Sequence, residues 1–399
     1  MISTDVIVAG AGISGLLIAS ALASKFSVIL LEQRESIPRN KYWLTDAETV
    51  RKNRHLEVCV DTYYESMDFV AYDGLTATVK GDYCLWDTEK LIALLERNVR
   101  AAGAEILTGH TLYSFSQEKD AIVARANSQT IRARLLIDCM GFGSPIVGAR
   151  NVSSIIGYYI VHGCEVVLKD QQRPVGLDNV VMNLHPAYFE IFPTSKGTAH
   201  TALILASHHY KPDRSLVTEL DFILRKSHYS ERIAYQPSEN RKSYFGIVPV
   251  GRLKTAALDR IVFFGEAGQA NPAATATALT RMLLVYQELA QSICECLNRN
   301  TLTRRHLTRL MPLYMTPMNR VFQELLFDSV LSFNSDDYRR LVQELRDYPS
   351  DVVNDMLFGK FSFKKARIAR LTTHALRPES ILGRHVLKSL ARFVSSTHK

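Results

Sequence analysis

An α/β fold is predicted, on three observations. A glycine-rich turn joins a short β-branched strand to an alanine- and leucine-rich helix at the start of the chain, the stretch from about 152 to 210 is rich in strands, and the pattern from 303 onward is helical. Residues 5–9 (Asp-Val-Ile-Val-Ala) read as a buried strand, Gly10-Ala11-Gly12-Ile13-Ser14-Gly15 as the turn, and Leu16 to Ala23 as the helix. A second strand, Ser27 to Leu31, ends at Glu32. The spacing has a mechanical reason. Gly10 permits the turn, Gly12 lets the backbone approach a pyrophosphate at the positive end of the helix, and Gly15 lets helix and strand pack. Glu32, about 20 residues on, is placed to accept from an adenosine ribose. This is a Rossmann-type dinucleotide-binding unit, with strand, helix, second strand and acid all in their places. Its position at the very start of the sequence matches FAD proteins built this way.

Further along, Tyr83-Cys84-Leu85-Trp86-Asp87 leads into a helix with Leu91, Leu94, Leu95 and Val99 as its apolar stripe, and short alternating strands follow over 104–134. Leu135 to Asp138 is read as another strand, ending in a glycine turn at Gly141 and Gly143. The strand-rich region includes Ile155–Leu168 and Thr198–Ala206, with one helix near 214–228. Tyr244 to Gly251 opens a return segment. Arg260 to Phe264 is a strand ending in Gly265-Glu266-Ala267-Gly268-Gln269-Ala270-Asn271-Pro272, and a long helix runs from there to about residue 298. The expected organisation is a discontinuous nucleotide-binding domain (1–150 and 240–300), an inserted mixed β-sheet substrate domain (151–239) and a helical segment (301–399).

Composition narrows the class. The chain of 399 residues is 47% hydrophobic and 22% charged, ordinary globular usage, with no apolar run near the ~18 residues a transmembrane helix needs. Six cysteines form no CxxC pair, so neither a zinc site nor a disulfide framework is expected, and reduced cytosolic thiols are. No signal peptide is expected, since no basic region precedes the first apolar stretch. The net charge of +8 sits wholly in residues 361–399, which hold nine cations and one acid, Glu379. On a helix Leu382, Val386, Leu390 and Phe393 fall within about 80° of one another, and Arg384, Lys388 and Arg392 lie roughly opposite. Such a helix either docks on an anionic membrane surface or packs its apolar face on the domain. A nucleic-acid partner is not expected, and oligomeric state is open.

The glycine motif with Glu32, the Asp138-x-x-Gly141 strand end, the Tyr188-x-Glu190-x-Phe192-Pro193 segment and the Gly265-Glu266-Ala267 strand end occur in flavoprotein order. Together they resemble the superfamily of geranylgeranyl reductases, aromatic hydroxylases, flavin halogenases and lycopene cyclases. The C-terminal third, with Tyr338-Arg339-Arg340, Tyr348-Pro349 and the run from Met356 to Ile368, resembles the helical tail of bacterial lycopene β-cyclases, as Asn40-Lys41-Tyr42-Trp43 resembles their tryptophan-bearing loop. The resemblance implies FAD held by Gly10, Gly12, Gly15 and Glu32, with Asp138 to Gly141 near the cofactor. It puts Gly265 and Glu266 at the ribityl chain and Pro272 at the start of the loop passing the isoalloxazine ring. A hydrophobic polyene, isoprenoid or lipid-like substrate is implied, with NAD(P)H as a candidate electron donor. A monooxygenase or halogenase acting on a small aromatic, and a flavin-binding protein without turnover, are the alternatives.

Two departures stand out. The loop after Pro272 reads Ala273-Ala274-Thr275-Ala276-Thr277, without the family's glycine, and the strand Thr198 to Leu205 carries none of the paired acids that polyene β-cyclisation needs. Glu190 is the candidate general acid. It interrupts an aromatic strand, and a carboxyl desolvated by Tyr188, Phe189 and Phe192 would hold its proton to higher pH. Strand alternation would equally turn it to solvent. His200 is read as a proton donor or a core histidine, and Tyr42 and Trp43 as loop packing or substrate contacts.

Overall fold

The computed structural model describes residues 1–169, 175–178, 187–211, 215–226, 228–237, 240–310, 317–360 and 380–384. The opening unit forms as read: β1 (Ile2–Ala9), α1 (Ile13–Leu22) and β2 (Val28–Leu31). Val6 and Val8 of β1 point into the helical core and Ile7 and Ala9 into the core on the other face. A strand buried on both sides needs a continuous apolar run, which this one has.

The chain then leaves that layer. β3 (Trp43–Asp46), α2 (Glu48–Lys52), β4 (Val60–Val70) and β5 (Thr76–Trp86) precede α3 (Thr88–Ala101), whose first turn is capped by Asp87 accepting from the Lys90 backbone N–H. β6 (Glu105–Leu107), β7 (Leu112–Gln117), β8 (Ile122–Ala126), β9 (Gln129–Asp138) and α4 (Pro145–Ala149) follow. The strand expected from Leu135 is the end of β9, a single ladder from Gln129 that pairs antiparallel with β8 and parallel with β1. Next come β10 (Ser153–Leu168), β11 (Val175–Asp178), β12 (Ala187–Pro193), β13 (Thr198–Ser207), α5 (Leu216–Lys226) and β14 (Ile233–Ala234). The remaining described elements are β15 (Ser243–Leu253), β16 (Ala257–Leu258), β17 (Ile261–Phe263), α6 (Ala278–Asn298), α7 (Arg304–Leu310), α8 (Pro317–Ser332), α9 (Ser335–Leu345) and α10 (Ser350–Leu357).

Two sheets result. The first runs β16-β17-β9-β1-β2-β6, parallel from β17 to β6, with α1, α3 and α6 packed on one face and the β7–β8–β9 meander contributing to the core of the other. The second runs β14-β10-β13-β12-β11-β4-β5-β3, with β15 on β10. The sheets cut across the expected boundaries. Strands β3 to β5, assigned from sequence to the nucleotide-binding unit, pair in the substrate sheet, and so does β15. The reason is physical: β4 lies parallel against β11, a pairing across more than a hundred residues that no local pattern encodes.

On β12, Ala187, Phe189 and Ile191 pack under α5 with Leu216, Leu220, Ile223 and Leu224. The opposite face of the sheet is covered by the last helices. Asn354 of α10 donates to the Lys80 carbonyl at 2.9 Å and Ser350 accepts from the Lys80 N–H at 3.1 Å, which clamps α10 onto β5. Buried Gln323 of α8 donates to the Met356 carbonyl and accepts from the Ala274 N–H. No described helix is long and apolar enough to cross a membrane. The basic amphipathic helix expected over 382–393 lies outside the described residues, apart from Leu382, Gly383 and Arg384.

Candidate functional site

One cavity of about 1720 Å³ begins at the glycine turn and extends between the two sheets. That is larger than the ~300–1,000 Å³ of a typical small-ligand pocket, so it has room for a dinucleotide and a second chamber. Gly10 adopts φ +99° and a Cβ there would stand 2.6 Å from the Cys139 carbonyl oxygen. A Cβ on Gly15 would lie 1.9 Å from the Gly10 oxygen, so only glycine lets α1 pack this close to the turn. Gly12 is different: a Cβ would meet nothing within 4 Å, and the residue caps α1 without any side-chain bond to the first-turn N–H groups. Those donors and the helix dipole suit an anion. Glu32 borders the same end of the cavity, accepting from the Ala11 N–H and the Arg34 N–H at 3.1 Å each.

Cys139, Met140 and Gly141 line the next section, and Glu266 faces Gly141 across it. Asp138 lies just behind this section and does not itself border the cavity. It is fully buried, accepts from the Met140 N–H and the Ser144 hydroxyl, and burial raises its pKa to about 6. Its part is to brace the loop that presents Gly141. Gly265 and Pro272 likewise stand behind the wall. Gly265 passes within 2.6 Å (as Cβ) of Ser14 on α1, and the Pro272 carbonyl accepts from the Thr275 and Ala276 N–H groups.

The loop without glycine keeps a glycine-like backbone. Ala276 adopts φ +53° on the cavity wall. The turn is held by Thr275 and Thr277, both donating to the Leu357 carbonyl, and by Tyr159, donating to the Ala274 carbonyl at 2.7 Å. A left-handed alanine costs about 1 kcal/mol. Ala276→Gly is therefore expected to raise Tm by a few degrees, read by thermal denaturation, and an unchanged or lower Tm would contradict a strained turn.

Beyond the loop the cavity becomes an aromatic and apolar chamber. Tyr188, Glu190 and Phe192 project into it from the face of β12 opposite the α5 core. Alternation does turn Glu190 away from that core, but the other face is the cavity and not bulk solvent. Burial pushes its pKa up to about 7, against a 3.1 Å hydrogen bond from the Tyr42 hydroxyl to Oε2 that favours the ionised form. Tyr42 itself is held far above the ordinary phenol range, first by burial and then by Tyr244 and Glu190, so it remains a donor. Its ring stacks on His200 at 5.0 Å and meets Tyr244 and Phe192 edge-on at 5.1 and 5.5 Å. His200 does not border the main cavity. It supports the Tyr42 ring from behind, and burial lowers its pKa. Tyr42 and Trp43 were both open between packing and substrate contact, Tyr244 and Tyr338 stood out in the sequence only as parts of motifs and not as site residues, and Leu341 and Leu345 carried no signal.

The profile of the lycopene cyclase protein family matches residues 5–377. The chain belongs to the lycopene cyclase protein family. Similar solved structures agree on the fold. A geranylgeranyl bacteriochlorophyll reductase-like protein of Thermoplasma acidophilum superposes with a TM-score of 0.75 at 15% identity, over 98% of this chain and 99% of that one. The p-nitrophenol 4-monooxygenase PnpA of Pseudomonas putida gives 0.64 at 14%, over 94% and 98%. The halogenase PltM, solved with phloroglucinol and FAD, gives 0.63 at 13%, over 95% and 88%. A comparison with curated protein sequences gives no match. This family member thus shares its fold with reductases, monooxygenases and halogenases. The contribution of β13 to the described cavity wall is Ile204 and no acid. The carboxylates on the described walls are Glu32, Glu35, Glu89, Glu96, Glu190 and Glu266, and Glu190 is the one carried on the aromatic face of β12.

Proposed function

We propose that this chain is an FAD-dependent enzyme acting at a carbon–carbon double bond of a hydrophobic polyene, isoprenoid or lipid-like substrate, by reduction, oxidation or rearrangement. The observation that carries this reading is the continuity of one cavity from the glycine turn to an apolar chamber holding a carboxyl that keeps its proton to about pH 7. The residues fit FAD: Gly12 leaves its face open, the first turn of α1 is uncapped by side chains, and Glu32 sits at the end of β2. Gly10, Gly12, Gly15 and Glu32 would hold the adenosine and pyrophosphate, and Gly141 and Glu266 the section beyond. FAD, when bound, supplies the redox chemistry.

The chain's own part is protonation and shelter. With Tyr42 holding Oε2, a neutral Glu190 has its proton available to a double bond in the chamber. The faces of Tyr42, Tyr188, Phe192 and Tyr244 suit a positive charge developing there, by cation–π attraction. Val330, Leu341, Val342 and Leu345 from α8 and α9 wall the chamber with aliphatic surface and exclude water.

A monooxygenase or halogenase is the second reading, favoured by the folds of PnpA and PltM. Reconstituted with FAD and reduced anaerobically by dithionite or NAD(P)H, the protein is expected to regain its yellow absorbance on addition of a polyene or isoprenoid acceptor. Recovery only with oxygen, accelerated by a phenol and accompanied by oxygen uptake, would replace the first reading by the second. Bleaching with no acceptor-dependent recovery would leave a flavin-binding protein without turnover.

A further inference from the structure

A second cavity of about 100 Å³ continues along the same side of β13, where Thr198 and His200 share the face of Ile204. Its walls are polar, with Asp61, Asp87, Glu165 and Lys196 among them, and it has room for several waters. Arg39, Asn40, Lys41, Glu89, Lys242 and Tyr244 border both cavities, so the two lie side by side. Tyr42 borders the chamber and not the small cavity, whereas His200 borders the small cavity and not the chamber. What joins them is a ring contact, since Tyr42 lies flat on His200, 5° from parallel. The Tyr42 ring is therefore a layer between a polar cavity and the chamber that holds Glu190. The layer is braced. Phe192 and Tyr244 meet it edge-on, and the Tyr244 hydroxyl donates to the Thr201 carbonyl at 2.5 Å. A Cβ on Gly163 would stand 2.2 Å from the Tyr244 ring, so the glycine of β10 makes room for this brace.

We propose that Tyr42 seals the chamber, its ring keeping the water of the small cavity away from Glu190 and from a cation formed beside it, and so selecting against a hydrated product. This rests on the general-acid reading above and goes beyond it, since Val330, Leu341, Val342 and Leu345 do not border the small cavity. Water admitted at this point would bond through its oxygen to the cationic carbon and release a proton to the medium, leaving an alcohol. The hydroxyl of Tyr42 holds Glu190 and its ring keeps that pair dry.

The test follows the carboxyl stretch of Glu190 by infrared titration of the FAD-loaded protein, the band being assigned by its loss in Glu190→Gln. Burial is the largest cause of the raised position of Glu190, and the bond from Tyr42 acts against it. Tyr42→Phe keeps the ring and loses the bond, so its midpoint is expected about one pH unit above that of wild type. Tyr42→Ala opens the partition and lets water reach the carboxyl, so its midpoint is expected about one pH unit below. Adding Thr198→Phe, which fills the small cavity, is expected to bring the midpoint of Tyr42→Ala back up, and no return would overturn the seal. A midpoint in Tyr42→Ala equal to or above that of wild type would overturn it as well. If Tyr42→Ala does not fold, Tyr42→Leu, too short to reach Glu190, is read by the same criterion. Wild type without a Glu190 band titrating near pH 7 would overturn the general-acid reading, and the seal with it.

Discussion

Glu190→Gln is expected to lower kcat by a factor of about 10²–10⁴, the usual contribution of a positioned general acid, while FAD binding stays as in wild type. Glutamine keeps the shape and the bond from Tyr42 and removes the transferable proton. The pH profile follows from the sign of the shift. Glu190 is active when protonated, so kcat of the wild type should fall as pH rises through about 7, and no such limb should remain in the residual activity of the variant. Stability moves in the same window. The folded protein holds this proton up to about pH 7, whereas an unfolded glutamate releases it near ~4.3. Between those values the wild type should therefore lose up to about 1.4 kcal/mol per pH unit relative to Glu190→Gln. Urea denaturation of both proteins at pH 5 and pH 8 measures the difference, and parallel pH dependences would place the carboxylate in contact with solvent.

Gly12 and Gly15 should separate cofactor binding from folding. Gly15→Ala places a Cβ 1.9 Å from the Gly10 carbonyl, a backbone atom that cannot swing aside, so α1 must lift off the turn. A loss of several kcal/mol and of FAD binding is expected, at the upper end of the effects single substitutions have. Gly12→Val meets no protein atom at its Cβ, yet it occupies the mouth of the uncapped helix end. It should leave Tm nearly unchanged and reduce FAD affinity by at least tenfold, the loss of close backbone approach to a pyrophosphate. Equal effects of the two substitutions on Tm would contradict the division of labour between these glycines.

The nucleotide-binding unit was legible because every constraint on it is local. Strand, turn, helix, strand and acid lie within 32 residues, and the glycine spacing follows from steric contacts the structure reproduces. The aromatic strand carrying Glu190 was legible as a pattern, but alternation names two faces without saying which one meets water. What decides that is α5 packing beneath Phe189 and Ile191, and α8 to α10 closing the far side. Tyr42 lies 148 residues from its partner Glu190, and its loop pattern fits packing as well as a substrate contact. The place of β3 to β5 in the second sheet was not legible for the same reason: β4 finds its second neighbour only in β11.

The pairing of β4 with β11 also sets an order of events during synthesis. When residues 60–86 leave the ribosome they can close the β4–β5 hairpin, but the other side of β4 stays open until Val175–Asp178 has been made. For about a hundred residues of elongation this strand, with Met67 and Phe69 on it, is an unprotected template for pairing with other chains. Cutting the gene near residue 150 would make that interval permanent. Anyone wishing to express the nucleotide-binding half alone would do better to excise 43–86 along with the inserted sheet than to stop the chain at residue 150.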